Sequence, residues 1–93
     1  MMRKISRSSE FKKDYKRVKK GKYRATIDES LVEILDILVN DKPIPPRYFD
    51  HPLKGNWRGF RDCHLHPDLL LIYKKVGNTV LELARLGSHS ELF

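Results

Sequence analysis

The sequence predicts a single α+β domain, residues 1–93, in which two N-terminal helices pack on a small antiparallel sheet in the order β-α-α-β-β-β. Apolar residues recur with the period of a helix between positions 9 and 40. A segment with four prolines, residues 41–52, then interrupts that period. From residue 57 onward apolar and polar residues alternate with the period of a strand.

The helical half contains one charged helix and one apolar helix. After a short strand over residues 3–6, the serines at positions 8 and 9 can cap a helix that runs to about residue 20, before Gly21. Its apolar stripe is narrow: Phe11, Tyr15 and Val18. The second helix, residues 26–40, has a wide apolar face made of Ile27, Leu31, Ile34, Leu35 and Leu38. We therefore expect the second helix to form most of the helical core.

Three strands complete the predicted fold as an antiparallel meander. They cover residues 57–65, 69–75 and 80–86. Pro67 and Asp68 turn the first pair, and Gly77 and Asn78 turn the second. One sheet and one helical layer follow from this order.

Charge is concentrated at the start of the chain. Residues 1–24 contain eleven Lys and Arg against two acidic residues, a local charge of +9, whereas residues 25–93 contain eight against ten, or −2. Most charge runs are solvated helix faces. However, a one-sided basic block is also typical of proteins that bind a phosphate backbone. We therefore predict a polyanionic partner.

The remaining composition excludes several classes. No apolar run approaches the roughly 18 residues of a membrane span, and the N-terminal segment lacks the apolar stretch of a secretory signal. We expect a cytoplasmic protein without membrane contact. The single cysteine, Cys63, has no partner for a disulfide or a zinc motif and is expected to be buried.

The stretch GFRDCHLHPD, residues 59–68, concentrates two histidines and two carboxylates in a chain with four histidines. Strand alternation places Asp62 and His64 on one face of the sheet, together with Phe60 and, just beyond the predicted strand, His66. Other groups with similar chemistry lie nearby along the predicted strands: His51, Asp68, Arg85 and His89. A polar strand face alone would explain any one of them. Their number favours a functional site.

Three chemistries use such a set. Zinc requires three or four ligands, and no second paired-ligand motif follows His64 and His66. A serine nucleophile requires a tight elbow of the GxSxG type, which the GSHS of residues 87–90 does not match. RNA cleavage by the strand's own 2′-hydroxyl requires only a base, an acid and a cation, which histidine and arginine supply. The third chemistry fits best, and a metal hydrolase stays open as an alternative.

Two stretches resemble a known family. The run FDHPLKGNWRGFRDCHLHPDLLLIY, residues 49–73, and the ending RLGSHSELF, residues 85–93, are similar to the YafQ branch of the RelE/ParE toxin superfamily. The resemblance implies a RelE-like fold and a ribosome-dependent endoribonuclease, the toxin of a type II toxin-antitoxin pair, which cuts mRNA in the ribosomal A site. It also implies no metal or other cofactor, and a DinJ-like antitoxin as partner beside the ribosome and mRNA.

The resemblance assigns functional positions residue by residue. The essential histidines of the family match His51, His64 and His89, and its essential carboxylate matches Asp68. Its second acidic position matches Asp62, the arginine of its last strand matches Arg85, and the aromatic residue near its C-terminus matches Phe93. His66 matches no functional position and is expected at the surface. Leu69 stands where the best-known member has tryptophan.

We expect the three histidines and Asp68 to form the acid–base group, while Arg85 offsets charge on the phosphorane. Asp62 is expected to orient His64. Which histidine is base and which is acid does not follow from the sequence.

The periphery of the site has simpler expected roles. Lys54 and Arg58 would contact RNA phosphates or remain solvated, and Phe93 would stack on an mRNA base or fold back on the core. Trp57 is expected in the core or at its rim. Two other functions remain possible from the sequence: a non-catalytic RNA-binding module, or a ParE-like toxin that targets gyrase, although the latter lacks this set of histidines.

Overall fold

The protein folds as two long helices packed on a sheet, as seen in a computed structural model that describes residues 2–93. The elements are β1 Lys4–Arg7, α1 Ser9–Val18, α2 Ile27–Val39, β2 His51–Pro52, β3 Arg61–His66, β4 Leu69–Val76, β5 Val80–Gly87 and α3 His89–Leu92. Single 3-10 turns cover Pro46–Tyr48 and Gly55–Trp57. The predicted α+β class and both long helices are confirmed.

The sheet has five strands in the order β1-β5-β4-β3-β2. The predicted antiparallel pairing holds for β3, β4 and β5, and β2 is also antiparallel to β3, but an antiparallel sheet is wrong for β1, which runs parallel to β5 with Ile5 beside Leu81. Parallel neighbours need a long crossover, and here both helices and three strands lie between the two segments. The short strand β2 and the terminal helix α3 were not predicted.

The strand β3 begins later than the sequence pattern predicts. Trp57 lies in a 3-10 turn, and Gly59 adopts φ 92°, a left-handed conformation that breaks an extended backbone. The strand therefore starts at Arg61 rather than at residue 57.

The helix boundaries follow capping chemistry. The Ser8 hydroxyl accepts a hydrogen bond from the backbone N–H of Phe11 at 2.9 Å, which fixes the start of α1. That helix ends at Val18, two residues earlier than predicted. Thr26 and Asn40, the predicted ends of α2, flank it as cap residues.

Apolar side chains cover both faces of the sheet. The larger cluster joins α1 and α2 to the sheet and contains Phe11, Ile27, Ile34, Leu38, Cys63, Leu71 and Tyr73 among others. The smaller cluster, Leu70, Ile72, Ala84 and Leu92, lies on the opposite face under α3, with Trp57 at its rim. Cys63 is fully buried, as predicted. Within residues 2–93, no helix has the length and apolar character needed to cross a membrane.

Candidate active site

The sheet places His51 directly beside Asp62, because these residues are partners in the β2–β3 ladder. The His51 Nδ1 atom lies 2.9 Å from the Asp62 Oδ1 atom and also 2.9 Å from the backbone oxygen of Phe49. Only the contact with the carbonyl has the geometry of a hydrogen bond, since Asp62 Oδ1 has no hydrogen-bond partner among the described residues. A carbonyl only accepts, so this bond requires the proton on Nδ1 and leaves Nε2 free in the neutral ring.

Asp62 is a buried carboxylate at the centre of the histidines. It is 3% exposed. Its pKa is raised, chiefly because burial removes water from the charged form, and His51, His64 and, more weakly, His89 oppose that rise. All three imidazoles therefore lie within electrostatic reach of one carboxyl group. The fold thus places His51 directly beside Asp62 and His64 two residues along the same strand, whereas His89 acts on the carboxyl more weakly.

His64 lies on β3 beyond the stretch that β2 covers. The Phe49 ring is tilted against it, with ring centroids 5.6 Å apart. Asp62 was predicted to orient His64, but the structure shows no hydrogen bond between them. Residues two apart on a strand stand side by side, and the Asp62 carboxyl faces His51 instead.

His66 leaves the histidine cluster through a bulge in β3. The register shifts between His64 and His66, and the extra residue turns His66 toward the helices. Its ring stacks on Tyr23 at 4.6 Å, and its Nε2 atom lies 3.3 Å from the hydroxyls of Thr26 and Ser30. The prediction that His66 shares a face with Asp62 is therefore wrong, and its side chain, expected at the surface, is half-buried.

His89 is the first residue of α3, which is fixed by a capping box between Ser88 and Glu91. Its backbone N–H donates to Asp68 Oδ1 at 3.2 Å. The contact between Asp68 and His89 thus runs through the backbone and positions the start of the helix. The Phe93 ring lies 5.1 Å from the His89 ring and is half exposed, so it does not fold back into the core.

Arg85, predicted to meet phosphate, is held by Asp14 of α1. The Arg85 Nε atom lies 2.7 Å from Asp14 Oδ2, and a second guanidinium nitrogen lies 3.1 Å from Oδ1. Burial alone would raise the pKa of Asp14, but hydrogen bonds from Arg85, from the N–H of Leu86 and from Arg17 outweigh it, so this pKa is lowered. The structure therefore ties Arg85 to the helix, while guanidinium donors outside this pair are free to serve another group.

Lys54 and Arg58 flank the 3-10 turn that precedes β3, and both are exposed. They lie in the loop that carries Leu53 and Trp57 against the smaller core cluster. The structure gives neither cation a contact with the histidines.

Three residues of the site were not singled out in the sequence. Asp50 accepts two hydrogen bonds from Arg61, at 3.0 and 2.7 Å, and one from the Tyr73 hydroxyl, which anchors the backbone just before His51. Asp14 holds Arg85, and Phe49 contacts both His51 and His64. Asp50 directly precedes His51 within the run that resembles the family, so its place in that run could have marked it as a residue of the site. Asp14 carried none, because an acidic residue in a basic helix reads as surface.

Across residues 2–93, no group of three or more His, Cys, Asp or Glu is arranged to hold a metal ion. The expectation of a metal-independent reaction stays a prediction.

Known proteins are similar to this chain over its whole length. The family model described as "Bacterial toxin of type II toxin-antitoxin system, YafQ" matches residues 3–93. The mRNA interferase toxin YafQ of Escherichia coli K12 is 38% identical over 94 residues, which cover 100% of this chain and 98% of the relative. The crystal structure of the E. coli DinJ-YafQ complex has a chain 39% identical, with a TM-score of 0.82 and 98% of each chain covered. A metal-bound toxin from Helicobacter pylori is 45% identical, with a TM-score of 0.86 and both chains fully covered.

Proposed function

This chain belongs to the YafQ family of bacterial toxins of type II toxin-antitoxin systems, and from that membership we propose that it is an endoribonuclease that cleaves mRNA on the ribosome. A relative carries the name mRNA interferase, and another is solved in complex with DinJ. By the same reasoning, a DinJ-like antitoxin is its partner.

The observation that carries this proposal is the buried Asp62 carboxyl, which lies 2.9 Å from His51, has His64 two residues along the same strand and is also influenced electrostatically by His89. Several imidazoles around one carboxyl group provide both a base and an acid near neutral pH. A purely RNA-binding surface needs cations but no such arrangement.

The reaction follows from the groups present. A histidine base removes the proton of the ribose 2′-hydroxyl, and the 2′-oxygen attacks the adjacent phosphorus. The bond from phosphorus to the 5′-oxygen breaks, and a protonated histidine donates a proton to that oxygen. The products are a 2′,3′-cyclic phosphate and a 5′-hydroxyl, and no electrons are exchanged.

Roles within the cluster follow from hydrogen bonding and charge. His51 fits the base, because its Nδ1 atom is directed at the Phe49 carbonyl and Nε2 is left to accept a proton. His64 and His89 are the remaining candidates for the acid, because His51 is assigned as the base. Asp68 supports His89 through the backbone. Arg85, Lys54 and Arg58 offset charge on the phosphorane and on neighbouring phosphates.

The ribosome supplies alignment that this small surface lacks. In-line attack requires the 2′-oxygen, phosphorus and 5′-oxygen to be held in a row, and holding reactants in place lowers much of a barrier. The +9 block of residues 1–24 is the docking surface for ribosomal RNA in this proposal.

Single substitutions of the histidines test the function. We expect His51→Ala, His64→Ala and His89→Ala each to lower cleavage of mRNA on programmed ribosomes by roughly 10²- to 10⁴-fold, as measured by primer extension. His66→Ala is the matched control, since His66 packs on Tyr23 away from the cluster. Each variant should keep its folded circular dichroism spectrum and its antitoxin binding.

Other outcomes would identify other functions. Unchanged cleavage in all three variants would overturn the proposal. Toxicity without any mRNA cleavage, combined with loss of gyrase supercoiling, would indicate a ParE-like toxin. Binding to ribosomes without cleavage by the wild-type protein would indicate a non-catalytic RNA-binding module.

A further inference from the structure

Phe49 connects two of the site histidines and yet presents its own ring to solvent. Its backbone oxygen accepts the hydrogen bond from His51, and its ring is tilted by 56° against that of His64. The residue is 68% exposed. Among the exposed large apolar side chains in the described part of the chain, only Phe49 and Phe93 are aromatic.

The backbone holds this ring outward at a conformational cost. Phe49 closes the 3-10 turn Pro46–Tyr48 with φ 47° and ψ 40°, a left-handed conformation that is uncommon for a bulky side chain. Its N–H donates to the Pro46 oxygen at 3.0 Å, and the next residue is anchored by Arg61 and Tyr73. Strain of this kind clusters at functional sites.

A groove begins where the ring stands. Its volume is about 560 Å³, and its lining includes Arg47, Tyr48, Phe49 and His64. That volume falls within the roughly 300–1,000 Å³ typical of ligand sites. The groove runs along the part of β3 beyond residue 62, where the pairing with β2 ends. The exposed Arg47 guanidinium lies in the same groove as the exposed aromatic ring and is paired there with Glu33.

We propose that the Phe49 ring is a stacking platform for a nucleobase of the RNA next to the cleaved phosphate. The inference rests on the proposed function and adds the residue that positions the substrate base. A base on this ring places its ribose and phosphate toward His51 and His64, which the same residue contacts. Leu69 cannot take this role, because it is buried at 2% exposure.

A contact with the antitoxin is the competing explanation of an exposed aromatic ring. Contact with RNA is favoured because the ring and the backbone oxygen of Phe49 each contact a histidine of the proposed site. A patch that serves only to bind a protein needs no such connection.

Three variants test the platform. Phe49→Ala removes the ring, Phe49→Trp keeps an aromatic face, and Phe49→Asn removes the ring while tolerating the left-handed backbone. On programmed ribosomes we expect the Ala and Asn variants to lose roughly tenfold in kcat/KM, as the stacking of one base provides, and the Trp variant to remain within about twofold. The pH dependence of the rate should keep its shape. Val76→Ala, an exposed apolar residue outside the groove, is the matched control.

A binding measurement separates failure of this inference from failure of the proposed function. For this measurement the ribosomes hold an mRNA with a 2′-deoxy sugar at the A-site codon, so that no 2′-hydroxyl can attack. We expect Phe49→Asn to bind these ribosomes about tenfold more weakly than the wild type while its thermal stability is equal or higher. Equal binding and equal cleavage would overturn the platform, and so would a loss confined to antitoxin binding. Absence of cleavage by the wild type on normal mRNA would instead refute the proposed function.

Discussion

The Asp62 carboxylate lies 2.9 Å from the His51 imidazole across the β2–β3 ladder, yet its Oδ1 atom forms no hydrogen bond within residues 2–93. A buried acceptor without a partner destabilises a fold. Its persistence beside three histidines is expected if the charge of Asp62 serves the reaction rather than the stability.

Replacing Asp62 by Asn should separate these two effects. We expect Asp62→Asn to lower mRNA cleavage by at least about tenfold, since the charge that supports the imidazolium is lost. At pH 8 the Tm should be equal or a few degrees higher, because roughly 1 kcal/mol corresponds to about 4–8 °C in a domain of this size.

The pH dependence of that difference has a definite sign. The pKa of Asp62 is raised above its ordinary 3.8 in the folded state. The folded state therefore binds more protons than the unfolded state between the two values, and the stability of the wild type falls as pH rises through that interval. The Tm difference between Asp62→Asn and the wild type should grow above pH 3.8 and then level. A Tm that is lower in the variant at every pH would contradict this account.

Asp68 is expected to act by positioning α3. Asp68→Ala removes the acceptor for the His89 N–H, whereas Asp68→Asn keeps an oxygen in the same place. We therefore expect cleavage to fall about tenfold in the Ala variant and to remain within a few-fold in the Asn variant. Equal, severe loss in both variants would instead assign Asp68 to proton transfer.

Asp14 should be the main acid-sensitive support of the site. Asp14→Asn is expected to lower the free energy of unfolding by about 2–3 kcal/mol at pH 7, because charge-assisted hydrogen bonds to a buried group are lost. Urea unfolding measures this, with the exposed Glu10→Gln of the same helix as control.

The difference in stability between Asp14→Asn and the wild type should disappear in acid. The pKa of Asp14 is lowered below its ordinary 3.8, so its stabilisation is complete above that value and disappears as pH falls through the folded pKa. The difference between wild type and Asp14→Asn should therefore shrink below pH 3.8. A constant difference down to pH 2 would show that packing, not charge, is responsible.

The basic face of α1 is expected to dock on ribosomal RNA. Lys12 and Lys16 are exposed on that helix, whereas Lys19 is paired with Asp28 at 2.9 Å. The double variant Lys12→Gln/Lys16→Gln should bind ribosomes more weakly and reduce the slope of log affinity against log salt by about two. Lys42→Gln is the control outside the block. Unchanged affinity and salt slope would exclude this docking surface.

Cleavage is expected to be independent of a transition metal. A chelator selective for zinc and copper, with Mg²⁺ retained for the ribosome, should leave the rate unchanged, because histidine and carboxyl groups alone supply the proton transfers. The test is informative because a relative from Helicobacter pylori is solved with a bound metal. A loss of cleavage that is restored by added Zn²⁺ would overturn the metal-independent mechanism.

The family, both long helices and the strands β3 to β5, apart from the start of β3, could be predicted from the sequence, because they depend on local periods and on ordered motifs. The sequence also singled out His51, which the structure places beside Asp62. A helix or strand can be predicted in this way because its apolar period lies within its own residues.

Which groups contact one another could not be predicted. The parallel placement of β1 and the pairing of Arg85 with Asp14 join residues far apart in the chain, and the bulge that turns His66 away is set by the pairing of β3 with β4. Such contacts leave no periodic trace, because a hydrogen bond or a bulge is selected by the neighbouring strand or helix and not by the sequence beside it.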